Sequence, residues 1–354
     1  MNIDKLTKDA IKLLCTLIEI PSISRDEKVA TDTLQKIMLE EYGLATNRVA
    51  NNLWCFANEY DAQKKTLLLN AHIDTVKPTA NWTREPYKAC IEGDIIYGLG
   101  SNDDGASLVS LIQVCRLLKG TRLPYNIILA ISAEEEVSGK NGMELLLKSL
   151  PNIDVAIVGE PTGMHPAIAE KGLMVLDITA HGKAGQAARA EGDNAIYHAV
   201  DDIAWLRSYK FPKISKLLGP VKTTVTIINA GTQHNVIPDE CTYTVDVRSN
   251  ELYSNEEIYN IVKENVKGEV KARSFRLSSS RIDTCHPLVK KTIALGRIPF
   301  GSPTLSDQAL MNFPSMKMGP GESSRSHTAD EFVKISEIKD AITIYQSILQ
   351  DLVL

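Results

Sequence analysis

At 354 residues, with 44% apolar and 23% charged side chains, the chain has the make-up of a globular protein long enough for two domains. Its net charge of -5 argues against nucleic acid as a main partner, because phosphate binding needs a basic face. No apolar run approaches membrane-spanning length, the first residues do not form a secretory signal, and the six cysteines are scattered with no CxxC pair. A cytoplasmic protein with reduced thiols and no membrane partner is therefore expected.

In chain order, the spacing predicts helices over 4–20 and 26–40, separated by Pro21-Ser22-Ile23-Ser24. Strands are expected at 52–57 and 66–71, then a helix at 104–118 with Leu108, Leu111, Ile112 and Cys115 on one face. The runs 126–131 and 155–158 are continuously apolar, as in strands buried on both sides, and strands alternating with helices imply a largely parallel α/β sheet. From about 173 the character changes. Strands at 173–180, 222–229 and 242–248, with helices near 194–209 and 255–265, suggest a β-α-β-β-α-β sandwich with its helices on one face. Ser278-Ser279-Ser280 reads as a return hinge, and 335–352 as a closing amphipathic helix.

Five polar clusters follow apolar, strand-like runs or the turns beside them. His72 and Asp74 lie in Asn70-Ala71-His72-Ile73-Asp74, and residues two apart in extended chain point the same way. Asp74 is thus placed to hold the second ring nitrogen of His72 and fix the tautomer that binds a metal. Asp103 follows Gly98-Leu99-Gly100-Ser101-Asn102; taken alone it reads as a helix N-cap. Glu134-Glu135-Glu136 ends the most apolar strand, where adjacent carboxylates are costly without cations; a solvated acidic loop is the bland alternative. Glu160 sits just past 155–158, and His327 lies in Ser324-Arg325-Ser326-His327-Thr328. Each cluster alone has an ordinary structural reading. Together they fall where open α/β sheets build their sites. One divalent ion would take His72 and Glu160, a second Glu136 and His327, with Asp103 bridging. Nitrogen and oxygen ligation favours zinc, with cobalt or manganese as substitutes.

These residues resemble the M20 family of metallohydrolases over nearly the whole chain. His72-Ile73-Asp74-Thr75-Val76 is similar to its first signature. Gly98-Leu99-Gly100-Ser101-Asn102-Asp103-Asp104-Gly105 is similar to its second, in which the first Asp bridges the metals and a cis peptide follows. Ala133-Glu134-Glu135-Glu136, Gly159-Glu160-Pro161-Thr162 and His327 resemble the remaining site motifs. The resemblance implies Glu135 as the base for a metal-bridging hydroxide and Glu136 as a ligand. It implies a zinc-hydrolase catalytic domain over 1–163 plus 278–354, interrupted by a ferredoxin-like α+β lid over 164–277 that makes a homodimer. Asn235, in Gly231-Thr232-Gln233-His234-Asn235-Val236, and Arg248, in Asp246-Val247-Arg248, resemble lid residues that reach a substrate carboxylate; by its sequence alone Arg248 reads as an exposed strand residue.

One departure stands out. The family's lid carries a histidine that stabilises the oxyanion, and this chain has Gln186 there, in Lys183-Ala184-Gly185-Gln186-Ala187-Ala188-Arg189. Glutamine donates a hydrogen bond but cannot become a cation, and losing one oxyanion donor costs about 100- to 1000-fold in rate. His181 and His234 are the candidate replacements. The substrate implied is an Nα-acyl amino acid, first of all N-acetylornithine in arginine synthesis. A desuccinylase, a dipeptidase, or a metal-binding homologue slowed by Gln186 are the alternatives. Arg325 and Arg189 would favour a succinylated substrate if they met its second carboxylate, although a structural ion pair is the simpler reading of each.

Overall fold

The computed structural model describes residues 2–189 and 191–354. It divides into two compact units, one of Met1–Ile168, Ile282–Phe300 and Ser306–Leu354, the other of Ala169–Arg281 and Gly301–Leu305.

The first unit is built on a mixed sheet. Its four central strands, Asn126–Ser132, Thr66–His72, Val155–Val158 and Ser315–Lys317, run parallel in that spatial order, and Asn52–Phe56 adds antiparallel to the first. Thr66–His72 and Asn126–Ser132 are buried at every position because both faces of the sheet are covered. Leu67, Leu69, Ile127 and Leu129 pack into one core with the helices Ile3–Ile18, Ala106–Leu118 and Ile335–Leu349. Leu68, Ile128 and Ala130 point the other way, into a smaller core with Met143, Leu146 and Met311.

The expected helix at 104–118 begins later. Regular helix runs Ala106–Leu118, and Ser101–Gly105 forms a wider turn in which Asp103 is extended, with φ -119° and ψ 97°. This helix is not one-sided either: all residues from Ala106 to Cys115 are buried, since helices cover the face turned away from the sheet. The first and last helices end at Ile18 and Leu349, short of the expected 20 and 352. The short helices Met143–Leu147 and Pro287–Ala294 carry too few turns to show a clear period in sequence.

The second unit has the element order strand Gly172–His181, helix Ala195–Ser208, strand Lys222–Ala230, strand Glu240–Ser249, helix Asn255–Asn265, strand Glu269–Ala272. Numbered along the chain, its antiparallel sheet has the spatial order 2-3-1-4, the ferredoxin-like arrangement. Met174, Leu176 and Ile178 face both helices through the core, while the alternate residues are partly exposed. A Ser254–Glu257 capping box starts the second helix. The serine-rich return segment is no loose hinge. Ser280–Arg281 pairs antiparallel with Ala169–Glu170, and the Ser279 hydroxyl donates to the Glu170 carbonyl at 2.6 Å.

Candidate metal centre

The carboxyl ends of the parallel strands place the site. Their registers align His72 with Ser132 and Asn70 with Val158, so the strands end side by side. His72 closes its strand, Glu135 and Glu136 stand three and four residues beyond Ser132, and Glu160 stands two beyond Val158. Asp103 enters from the turn after Gly100, whose φ of +74° suits glycine, and the peptide between Asp103 and Asp104 is cis. The loop after the Ser315–Lys317 strand brings in His327.

These side chains converge. His72 Nε2 lies 3.2 Å from Asp103 Oδ1 and 3.9 Å from Glu135 Oε2. His327 Nε2 lies 2.9 Å from Glu136 Oε2 and 3.6 Å from Asp103 Oδ2. Two donor groups, His72 with Glu135 and Glu160 and His72 with Asp103 and Glu136, each have ligand atoms within 4.8 Å of one another. Asp103 faces both histidines, one through each carboxylate oxygen.

The tautomer of His72 is fixed differently from the sequence expectation. Its Nδ1 donates to the Asp74 backbone carbonyl at 2.9 Å, while the Asp74 carboxylate is 3.5 Å away. A proton on Nδ1 leaves the Nε2 lone pair for a cation. The Asp74 carboxylate instead shapes the acidic turn: it accepts the backbone N–H groups of Glu135 and Glu136 at 3.0 and 3.1 Å and the Ser24 hydroxyl at 2.6 Å. Glu331 does the same for the loop of Asp103. Its carboxylate accepts the N–H groups of Gly100, Asn102 and Asp103 at 3.0, 2.8 and 2.9 Å. Beneath the strand ends, Asn70 donates to Ser132, and the Ser132 hydroxyl donates to Asp307 at 2.5 Å. Ser24, Glu331 and Asp307 carried no motif. The only sequence signal for Glu331 was its place four residues after His327.

Electrostatics agrees with a site made for cations. Burial pushes Glu135 and Glu160 well above the usual carboxylate range, and the neighbouring acids push further. Burial also raises Glu136, lifts Asp104 to about 8 and lifts Glu331 to about 7. Burial works to lower the pKa of His72, yet the carboxylates around it, first Asp103, then Asp74 at 3.5 Å and Glu135, raise it well above the ordinary value. The hydrogen bond that His327 donates to Glu136 brings its pKa up to about 9. So much negative charge in one buried place is stable only with protons or metal ions to balance it. The donor set, carboxylate oxygens with two imidazoles, fits two divalent ions.

The other expected residues belong to the second unit. Gly185–Gln186 pairs antiparallel with Val236–Ile237, and Ala187 N–H donates to the Asn235 carbonyl at 2.9 Å, so Gln186 and Asn235 are neighbours on one exposed loop pair. Arg248 is held by its strand neighbour: its guanidinium makes two hydrogen bonds to Asp246, at 2.8 and 3.0 Å. His181 is exposed, 3.7 Å from Glu269, and His234 is exposed as well. Arg325 forms a two-bond ion pair with Glu337, at 2.7 and 3.0 Å, the structural role already set against a substrate contact.

Comparison with known proteins follows the same lines. The chain is 26% identical to a succinyl-diaminopimelate desuccinylase of Corynebacterium glutamicum, covering 98% of this chain and 97% of that one. It is 29% identical to a peptidase M20 domain-containing protein of Schizosaccharomyces pombe, covering 95% and 83%. Among solved structures it resembles a tripeptidase from Staphylococcus aureus, with TM-score 0.75 and 22% identity over 97% of this chain and 98% of that one. It also resembles a dinuclear metal-binding peptidase of the M20 family from Bacillus subtilis, with TM-score 0.74 and 17% identity over 98% of each chain. The sequence pattern of peptidase family M20/M25/M40 matches residues 68–351, which span every strand end and loop of the centre, and the chain belongs to that family of hydrolases.

Proposed function

We propose that this protein is a two-metal amidohydrolase that releases an amino acid from its Nα-acyl derivative by cleaving a linear amide. The observation that carries this reading is the convergence of His72, Asp103, Glu136, Glu160 and His327, with Glu135 in the same cluster as His72 and Glu160. Zinc is the ion the donors favour, with cobalt or manganese able to substitute. When bound, such a pair supplies Lewis acidity and a water that ionises near neutral pH.

The residues divide the remaining work. His72 and Glu160 would hold one ion and Glu136 and His327 the other, with Asp103 the carboxylate that would serve both. Glu135 takes a proton from the attacking water and passes it to the leaving amine, a role suited to a carboxylate whose burial has raised its proton affinity. Asp74 keeps Glu135 and Glu136 pointed into the site through their backbone N–H groups. In the second unit, Gln186 is assigned as the hydrogen-bond donor to the tetrahedral oxyanion, and Asn235 and Arg248 as the group that orients the substrate carboxylate. The bonds to Asp246 engage Arg248 Nε and Nη2, which leaves Nη1 to donate to a substrate carboxylate.

N-acetylornithine is the first substrate proposed. The names of the relatives support the alternative, an N-succinyl amino acid, and those of the structural neighbours point to short peptides. A panel of N-acetylornithine, N-succinyl-diaminopimelate and di- and tripeptides, assayed with and without a chelator, tests the reading. Chelator-sensitive release of a free amine from one class supports it. Two ions per chain with no turnover on any of them would leave a metal-binding homologue instead.

We also assign the second unit as the dimerisation surface of a cytoplasmic homodimer. Its edge strand Lys222–Ala230 exposes Ile227 and Ile228, at 52% and 50%, beside unpaired backbone groups, as in an edge awaiting a partner. Sedimentation of the wild type and of an Ile228→Lys variant checks this, the variant being expected to run as a monomer.

A further inference from the structure

The second unit holds a cleft of about 400 Å³ between the end of the helix Ala195–Ser208 and the start of the strand Lys222–Ala230. Four cationic residues line it, Lys171, Arg207, Lys210 and Lys222, and none of the lining residues is acidic. Among the described residues, none of these four side chains has an ion pair or hydrogen bond, whereas nearby Lys213 is held by Glu257. The like charges are crowded. Lys222 stands directly across the ladder from Arg248, and cross-strand like charges destabilise a sheet. Burial, followed by the charges of Lys222 and Arg248, lowers the pKa of Lys171. Two buried apolar residues, Phe211 and Val221, and half-buried Tyr209, whose ring stacks on Trp205 at 4.7 Å, give the same cleft an apolar side.

A concave, cationic, unpaired lining beside an aromatic wall is what recognises an anion with a flat apolar body. Four cations without a counter-charge call for more than one negative charge. Arginine and lysine together suit phosphate, the first through its planar fork and the second as a point charge. We propose that this cleft binds a phosphate monoester bearing a flat apolar group, its phosphate among Lys171, Arg207, Lys210 and Lys222 and its apolar part against Tyr209 and Phe211. Nothing in this assignment depends on the hydrolytic reaction.

Calorimetric titration of the full-length, metal-loaded protein with phenyl phosphate, inorganic phosphate and benzoate tests the proposal. Phenyl phosphate is expected to bind saturably and at least about tenfold more tightly than either of the others, with affinity falling as salt is added. An Arg207→Glu, Lys210→Glu double variant of unchanged circular dichroism is expected to lose at least about tenfold in that affinity. Should the double variant fail to fold, Lys210→Ala is expected to lose about threefold. No saturable binding in the millimolar range overturns the proposal. So does benzoate binding as well as phenyl phosphate, which removes the dianion, or inorganic phosphate doing so, which removes the apolar part. Unchanged affinity in the folded variants also overturns it, because the ligand then sits elsewhere, the metal centre included.

Discussion

Glu135 and Glu136 are adjacent in sequence, and the proposed reaction gives them different roles, base and metal ligand. Glu136 meets His327 directly, while Glu135 Oε2 stands 3.9 Å from His72 Nε2, farther than the hydrogen-bonded contacts. Changing Glu135→Gln keeps the shape and removes the proposed base. We expect metal content to stay near two ions per chain while kcat falls by about 100- to 10,000-fold, read by elemental analysis alongside the substrate assay. Asp103→Ala has the opposite signature: both ions should be lost together, and a variant that kept full occupancy would contradict the bridging role. Gln186 invites a gain. If its amide is a poor substitute for a cationic donor, Gln186→His should raise kcat by up to about 100- to 1000-fold with little change in KM. An unchanged rate would assign the oxyanion contact to another group.

At the scale of elements, the site is a set of loop ends tied to one another by buried carboxylates. Glu331 holds three consecutive-turn N–H groups from a segment 228 to 231 residues away in sequence, and Asp74 holds two from the acidic turn. Removing either acceptor leaves buried N–H groups unpaired, at about 1–3 kcal/mol each. Glu331→Ala should lower thermal stability and also weaken metal affinity by about 10- to 100-fold, since the Asp103 loop loses its anchor. Loss of stability with metal affinity intact would show that the loop holds its shape without Glu331. Sequence inspection found the strands and most helices because both sheet cores impose a period on the chain. It could not find Glu331, Ser24 or Asp307, whose partners lie far along the chain and whose neighbours show no periodic pattern.

For the whole molecule, the pKa shifts set how stability follows pH. In the metal-free protein His72, His327, Glu135, Glu136, Glu160, Asp104 and Glu331 all have pKa values raised above those of the unfolded chain. The folded state therefore binds more protons than the unfolded one, and stability falls as pH rises. Asp74 and Asp103 are shifted down, so they are ionised in both states above pH 5 and do not offset this trend. The melting temperature of chelated protein is thus expected to fall from about pH 5 through pH 9, the span from unfolded carboxylates to His327. Saturating metal ion should flatten or reverse that slope, because cations replace the protons. A chelated protein that grew more stable with pH would mean that the acidic cluster is not a proton-loaded cation site.

The sequence by itself determined the two kinds of architecture, an α/β sheet buried on both faces and a one-sided β-α-β-β-α-β sandwich, because hydrophobic periodicity is a local property. It also marked His72, Asp103, Glu136, Glu160 and His327, since polar clusters at the ends of apolar strands stand out without any knowledge of the fold. Only the tertiary structure decided that a backbone carbonyl, not the Asp74 carboxylate, orients the His72 ring, and that Arg248 is paired with Asp246. It alone gathered four unpaired cationic residues from separate segments around one cleft. Hydrogen bonds and charge clusters depend on distances of a few ångströms between segments that sequence spacing leaves undetermined.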